Sequence, residues 1–377
     1  MKGIQARIWL RGRFRKGWLA WERGKLVGVG EGAAPKKFAK QLEDLGERRI
    51  LPGFVDTLVH GYAGVGAATH SAVDLDRMAR ALARAGVTSA LAGFYPLSLA
   101  RLRAAAKRWN TAKKLRGVRA RFAGWHVEGV FINPQMSGAL PREGLLTPDV
   151  KNAERFVKAC DGWLKMSTIA PELEGALDAA EVLREAGVMP SIGHSAAEYV
   201  HCEALAANGP IAITHLGNRV LPLTAREPGP IGFAMEGRAD FVAAIPDAVH
   251  VAPETLRLWA STAAMRSKLM AVSDNLSHAG LPADKFDAAG QIAHRDGPVA
   301  RNARDELCGT LDSLPELLLR RVRDGALTMA QAVRMGCEVP GKLLGDCGRF
   351  EVGLRADLVE LEDGSSIGAI WVGGRKA

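Results

Sequence analysis

Short apolar runs alternate with segments in which apolar residues recur every three or four positions, and this alternation persists from Phe54 to Asp274. The short runs read as buried strands and the 3.6-residue period as amphipathic helices. On that basis strands are expected over residues 54–60, 87–94, 122–128, 164–170, 189–194, 211–215, 240–245 and 268–274. Helices are expected over 74–85, 97–114, 148–160, 172–186, 196–208 and 253–265. In the first of them Leu75, Met78, Leu82 and Ala85 share one face, while Arg77, Arg80 and Arg84 lie elsewhere. Strands joined by helical crossovers run parallel, and eight such units predict an α/β fold of the TIM (β/α)8 barrel type. A doubly wound sheet is the alternative; polar residues at the strand ends favour closure.

Both chain ends have a different texture. Residues 4–10 alternate, residues 17–21 and 25–30 complete a hairpin-like unit, and residues 350–361 and 367–374 resemble them. So few strands bury little core at either end alone. Together they predict one small β domain, built from residues 1–49 and 347–377, flanking a barrel over 50–346. No internal repeat or low-complexity segment is evident.

Composition narrows the class. A 377-residue chain of 40.2 kDa, 47% hydrophobic and 24% charged, suits one large α/β domain with a small appendage. No apolar run approaches the roughly eighteen residues that span a bilayer, and residues 1–7 lack a signal-peptide core. Cys160, Cys202, Cys308, Cys337 and Cys347 show no CxxC spacing, so reduced thiols in the cytoplasm are expected. The net charge of +9 favours anionic partners. The arginines are dispersed along helices without interleaved aromatics, which argues against a nucleic-acid module; a phosphorylated small substrate fits the same charge.

The chemistry sits at the strand ends. Residues 190–218 contain two apolar runs finishing in His194 and His215, about one helix apart. Side chains at the carboxyl ends of barrel strands converge on one mouth, where imidazoles bind zinc or iron. The third strand ends at Glu128 and the eighth at Asp274. Glu128, His194 and His215 make a three-ligand site for one divalent metal ion, leaving a position open for water. Asp274 is then the general base and later the general acid. His126, two residues before Glu128, shares its face as core or as a supporting residue.

These residues carry a resemblance that covers nearly the whole chain. Leu51-Pro-Gly-Phe-Val-Asp, His126-Val-Glu-Gly-Val-Phe-Ile-Asn-Pro, Ala170-Pro-Glu, Gly193-His-Ser, Thr214-His-Leu-Gly-Asn and Arg226-Glu-Pro-Gly resemble the amidohydrolase superfamily. Within it they resemble the N-acetylglucosamine-6-phosphate deacetylases, and the Thr-His-Leu-x-Asn and Arg-Glu-Pro-Gly segments are the specific part. The resemblance implies a deacetylase with metal ligands at Glu128, His194 and His215 and a catalytic aspartate at Asp274. It further implies that Asn218, Arg226 and His250 bind substrate phosphate, with Arg226 reaching the neighbouring subunit's site in a homodimer.

Two departures stand out. Superfamily members often carry His-x-His at the end of the first strand for a second metal; here the segment is Leu58-Val59-His60. Leucine cannot ligate, so one ion is expected, and His60 is either a substrate contact or a mouth histidine without a role. The family's carbonyl-polarising histidine is replaced by Leu140, and His60 or His278 could supply that donor instead, His60 being the preferred candidate. The leading expectation is therefore deacetylation of an N-acetylated amino-sugar phosphate. The alternatives are hydrolysis of a different N-acyl amino sugar or amide, and a non-catalytic sugar-phosphate-binding barrel.

Overall fold

Eight parallel strands form the barrel that the alternation predicts. The computed structural model describes every residue except 70, 289 and 364. The strands are β1 (Phe54–Val59), β2 (Val87–Phe94), β3 (Arg121–Phe131), β4 (Leu164–Ile169), β5 (Met189–Ile192), β6 (Ala212–Ile213), β7 (Phe241–Ala244) and β8 (Leu269–Ala271). They pair in chain order, each pairing parallel. Backbone just beyond β8 closes the seam: Asp274 N donates to Leu58 O and His60 N donates to Asn275 O, each at 3.1 Å.

Both faces of the strands are buried, which suits their nearly continuous apolar runs. Leu58, Leu91, Met166, Ala212, Ala243 and Met270, one each from six strands, fill the barrel interior as a cluster apart from the helix-facing core. Because strand side chains alternate, Leu58 facing inward places Asp56 and His60 inward as well. The helix Ala72–Arg84 is capped by Ser71, whose hydroxyl accepts from Asp74 N at 3.2 Å. It buries Leu75, Met78 and Leu82 of the predicted stripe together with Ala79, while Ala85, the fourth predicted position, is the half-buried C-cap.

The terminal segments make one seven-stranded sheet. Its join is a strand the hydropathy pattern does not show, Leu42–Pro52, which pairs parallel with Lys2–Leu10 and antiparallel with Leu358–Glu362. Six of its eleven residues are exposed, so no alternation marks it. A second unmarked unit follows β8: Lys285–Ala288, Gln291–Asp296, Val299–Asn302 and Leu307–Thr310 form a four-stranded antiparallel sheet. Its core is small, built on Leu276, Phe286, Ala293, Ala300 and Leu311. Among the described residues no helix is long and apolar enough to cross a membrane.

Phe54, 1% exposed, begins β1 against Gly336. Phe54→Ala should lower the unfolding free energy by about 3–5 kcal/mol. Urea denaturation with an unchanged m-value would measure it; a loss below about 1 kcal/mol would contradict this packing.

Candidate active site

Glu128 is the organising side chain, 2% exposed inside the carboxyl end of β3. Gly129 follows at φ +91°, where a Cβ would lie 2.7 Å from Ile132 Cγ2, so the turn beyond Glu128 requires glycine. His194, His215 and Asp274 come shortly after β5, β6 and β8. All three are in left-handed backbone, with φ of +47°, +25° and +51°. Non-glycine residues rarely occupy that region, and each such residue costs about 1–3 kcal/mol. The turns end the strands early and bring the three side chains to the barrel mouth.

The atoms converge closely. His194 Nε2 lies 3.1 Å and His215 Nε2 2.5 Å from Glu128 Oε1. His60 Nε2 lies 3.2 Å from Glu128 Oε2 and 3.1 Å from Asp274 Oδ1. Two sets of ligand atoms, Glu128–His194–His215 and His60–Glu128–Asp274, each fall within 4.8 Å of one another. His194 Nδ1 lies 3.0 Å from the Met136 carbonyl oxygen. Donating there, it keeps the Nε2 lone pair turned toward Glu128, the tautomer a metal ligand needs. Imidazole lone pairs facing a carboxylate oxygen repel unless a cation or protons lie between them. One carboxylate and two imidazoles fit a divalent ion such as zinc or iron.

Burial would raise the Glu128 pKa, but His215 and His194 outweigh it and hold the carboxylate well below its usual range. Burial would depress His60, yet Asp274 and Glu128 raise it to about 9. His126 is pushed down to about 4, chiefly by burial. As a neutral ring it donates from Nδ1 to Thr57 O at 3.1 Å and accepts at Nε2 from the Thr168 hydroxyl at 3.0 Å. That hydroxyl continues to Thr214 at 3.0 Å and on to Ser191 at 2.7 Å. His126 therefore anchors a polar layer beneath the site.

Three supporting residues escape a reading of strand ends. Asp56, fully buried, accepts from Leu58 N and Ser273 N at 3.3 and 3.1 Å across the seam; burial raises its pKa to about 7. Glu172, in the Ala-Pro-Glu segment, accepts from Asn133 Nδ2 at 3.0 Å and from Ser195 Oγ and Ala196 N at 2.6 Å. It pins the chain leaving His194. Tyr95 stacks on His60 with ring centres 4.2 Å apart and planes 9° from parallel. Strand-end histidines and acids are conspicuous in a sequence; a tyrosine after Phe94 carries no comparable signal.

The remaining candidates lie on loops at the same end of the barrel. Asn218 Nδ2 donates to His215 O at 3.2 Å. In the Arg-Glu-Pro-Gly turn, Glu227 Oε1 accepts from Tyr199 N and Gly229 N at 2.8 Å, while Arg226 is exposed without an ion-pair partner among the described residues. His250 Nδ1 is 2.5 Å from Asp247 Oδ2. Leu140 is buried, 9% exposed. His278 Nδ1 bonds the Ser277 hydroxyl at 3.0 Å and its ring stacks on Phe286. A cavity of about 1210 Å³ opens elsewhere, between the terminal sheet and the start of β3, lined by Trp21, Trp109, Arg116 and Arg375. None of the converging residues lines it.

No protein-family model matches the chain. It is 30% identical over 331 residues to the N-acetylgalactosamine-6-phosphate deacetylase of Escherichia coli O157:H7, covering 87% of each chain. It is also 30% identical over 341 residues to the N-acetylglucosamine-6-phosphate deacetylase of Vibrio furnissii, covering 88% of this chain and 83% of that one. The crystal structure of the N-acetyl-D-glucosamine-6-phosphate deacetylase of Mycobacterium smegmatis is 29% identical and superposes over 100% of both chains with a TM-score of 0.86. A mutant of that enzyme in complex with N-acetyl-D-glucosamine-6-phosphate is equally similar, with a TM-score of 0.86 and 29% identity over 100% of this chain and 98% of that one. The chain belongs to the N-acetylglucosamine-6-phosphate deacetylase family of the amidohydrolase superfamily.

Proposed function

We propose that this chain hydrolyses the amide of N-acetylglucosamine 6-phosphate, giving glucosamine 6-phosphate and acetate, with one divalent metal ion, zinc or iron, per chain. The observation that supports it most is the convergence of Glu128, His194, His215 and Asp274 at one barrel mouth. Glu128, His194 and His215 would hold the ion, which would supply Lewis acidity and lower the pKa of a bound water. Asp274 takes a proton from the attacking water as its oxygen bonds the acyl carbon. It returns that proton to the amide nitrogen as the C–N bond breaks. His60, bridging Asp274 and Glu128, keeps the Asp274 carboxylate turned into the mouth.

Asn218, Arg226 and His250 are assigned to the substrate phosphate. A guanidinium fork suits phosphate oxygens, Glu227 holds the turn, and Arg226 has no ion-pair partner among the described residues. The assignment places Arg226 in the neighbouring subunit's site of a homodimer. Proteins with comparable similarity to this chain are named for the glucosamine and for the galactosamine epimer. Release of acetate from both sugar phosphates, and from their unphosphorylated forms, is the assay that tests the reading. Wild-type protein that releases acetate from none of them would overturn it.

Metal analysis of dialysed protein should find one ion per chain. His194→Ala should lose the ion and at least about 10²-fold in kcat/KM. Two tightly held ions would bring the His60–Glu128–Asp274 set into use and overturn the single-ion assignment.

Arg226→Ala should weaken the phosphorylated substrate roughly tenfold to a hundredfold, since a hydrogen bond to a charged group is worth about 1.5–3 kcal/mol. Unphosphorylated substrate should be unaffected. If the site is shared, mixed dimers of Arg226→Ala and Asp274→Asn chains should turn over phosphorylated substrate with an affinity that Arg226→Ala lacks and a rate that Asp274→Asn lacks. Equal losses on both substrate forms would remove the phosphate assignment.

A further inference from the structure

We propose that the Tyr95 hydroxyl donates the hydrogen bond that polarises the acyl carbonyl, in the role for which Leu140 offers no donor. This rests on the amide-hydrolase reading above. Tyr95 directly follows Phe94, the last residue of β2, and β2 lies between β1 and β3. Phe94 pairs with Val127, which sets Tyr95 beside Glu128, and Ala92 pairs with Val59, which sets it near His60. It therefore stands at the barrel mouth between the strands that carry two of the converging residues.

Its ring is held firmly. One face stacks on His60, and the ring packs against the Leu276–Phe286–Leu311 cluster of the inserted sheet. Gly93 makes room for this arrangement: a Cβ there would lie 2.9 Å from His60 Nδ1. The hydroxyl has no hydrogen-bond partner among the described residues, and Tyr95 is half-buried rather than enclosed. In the proposed role it donates to a substrate bound at that mouth. Burial, with Asp274 and Glu128 nearby, raises its pKa well above the ordinary phenol value, so it keeps its proton at neutral pH.

The other candidate donors are less well placed: His60 Nδ1 is enclosed, and His278 sits on the loop after β8, bonded among the described residues through Nδ1 alone. His60 Nε2 faces both Asp274 and Glu128. His278 bonds Ser277 and lies flat against Phe286. As the acyl carbon becomes tetrahedral, negative charge grows on its oxygen, and a preorganised donor there is worth about 10²–10³ in kcat.

The test compares Tyr95→Phe, which keeps the stack and removes only the hydroxyl, with Tyr95→Leu, which removes both. Tyr95→Phe should retain its metal and melting curve, lose about 10²–10³-fold in kcat and change KM little. It should also bind the tetrahedral methylphosphonamidate analogue of the sugar phosphate more weakly by a similar factor in calorimetry. Tyr95→His, which keeps a ring and a donor, should retain more activity than Tyr95→Phe. Near wild-type kcat and analogue affinity in Tyr95→Phe, with loss only in Tyr95→Leu, would show that Tyr95 merely positions His60 and would overturn the proposal. Wild-type protein that neither hydrolyses the substrates nor binds the analogue would overturn the hydrolase reading and this inference together. Turnover by wild type with an unaffected Tyr95→Phe would overturn the phenol's role alone.

Discussion

A carboxylate with 2% exposure remains charged only when positive charge or donors face it, and at Glu128 three imidazole nitrogens converge from three different strand ends, so a cation or protons must lie between them and the carboxylate. That requirement organises the barrel mouth. No single strand can supply all the partners, so the site exists only once β1, β3, β5, β6 and β8 have closed into a ring. His194, His215 and Asp274 are all held in left-handed backbone. The surrounding hydrogen bonds, His194 to Met136 O and Asp274 N to Leu58 O among them, hold these turns against their conformational cost.

Beneath the mouth the polar side chains are neutral or bonded to backbone. His126, Thr168, Thr214 and Ser191 form one connected run, which satisfies groups that would be costly to bury unpaired. Lower still, Leu58 joins Leu91, Met166 and Met270 in an apolar layer. The leucine that breaks the His-x-His pattern is therefore a packed core residue. Its place is structurally occupied, which is a stronger statement than the loss of a ligand.

Units added to the barrel reach the same region from outside. The inserted sheet after β8 packs on Tyr95, and Gln291 Nε2 donates to Ala139 O at 3.0 Å in the loop that carries Leu140. The terminal sheet stays apart, holding the two chain ends to each other through the strand Leu42–Pro52. The added segments thus divide the work: one shapes the mouth, and the other stabilises the opposite flank.

The barrel was legible because its signal is local: apolar runs of strand length separated by 3.6-period helices, each readable within a dozen residues. Glu128, His194, His215 and Asp274 were legible because chemically conspicuous side chains fell at the ends of those runs. The strand Leu42–Pro52 was not, since exposed residues erase its alternation, and neither was the inserted sheet, whose small core leaves little periodic signal. Asp56 and Tyr95 stayed hidden for another reason. Asp56 matters because it accepts from Ser273 across the seam, and Tyr95 because it lies against His60; both depend on which strands become neighbours. The sequence by itself determined the barrel and the residues able to carry the chemistry. Only the tertiary structure decided which nitrogen faces which oxygen, because left-handed turns and closure of the seam set those directions, and pairings between distant segments leave no periodic trace along the chain.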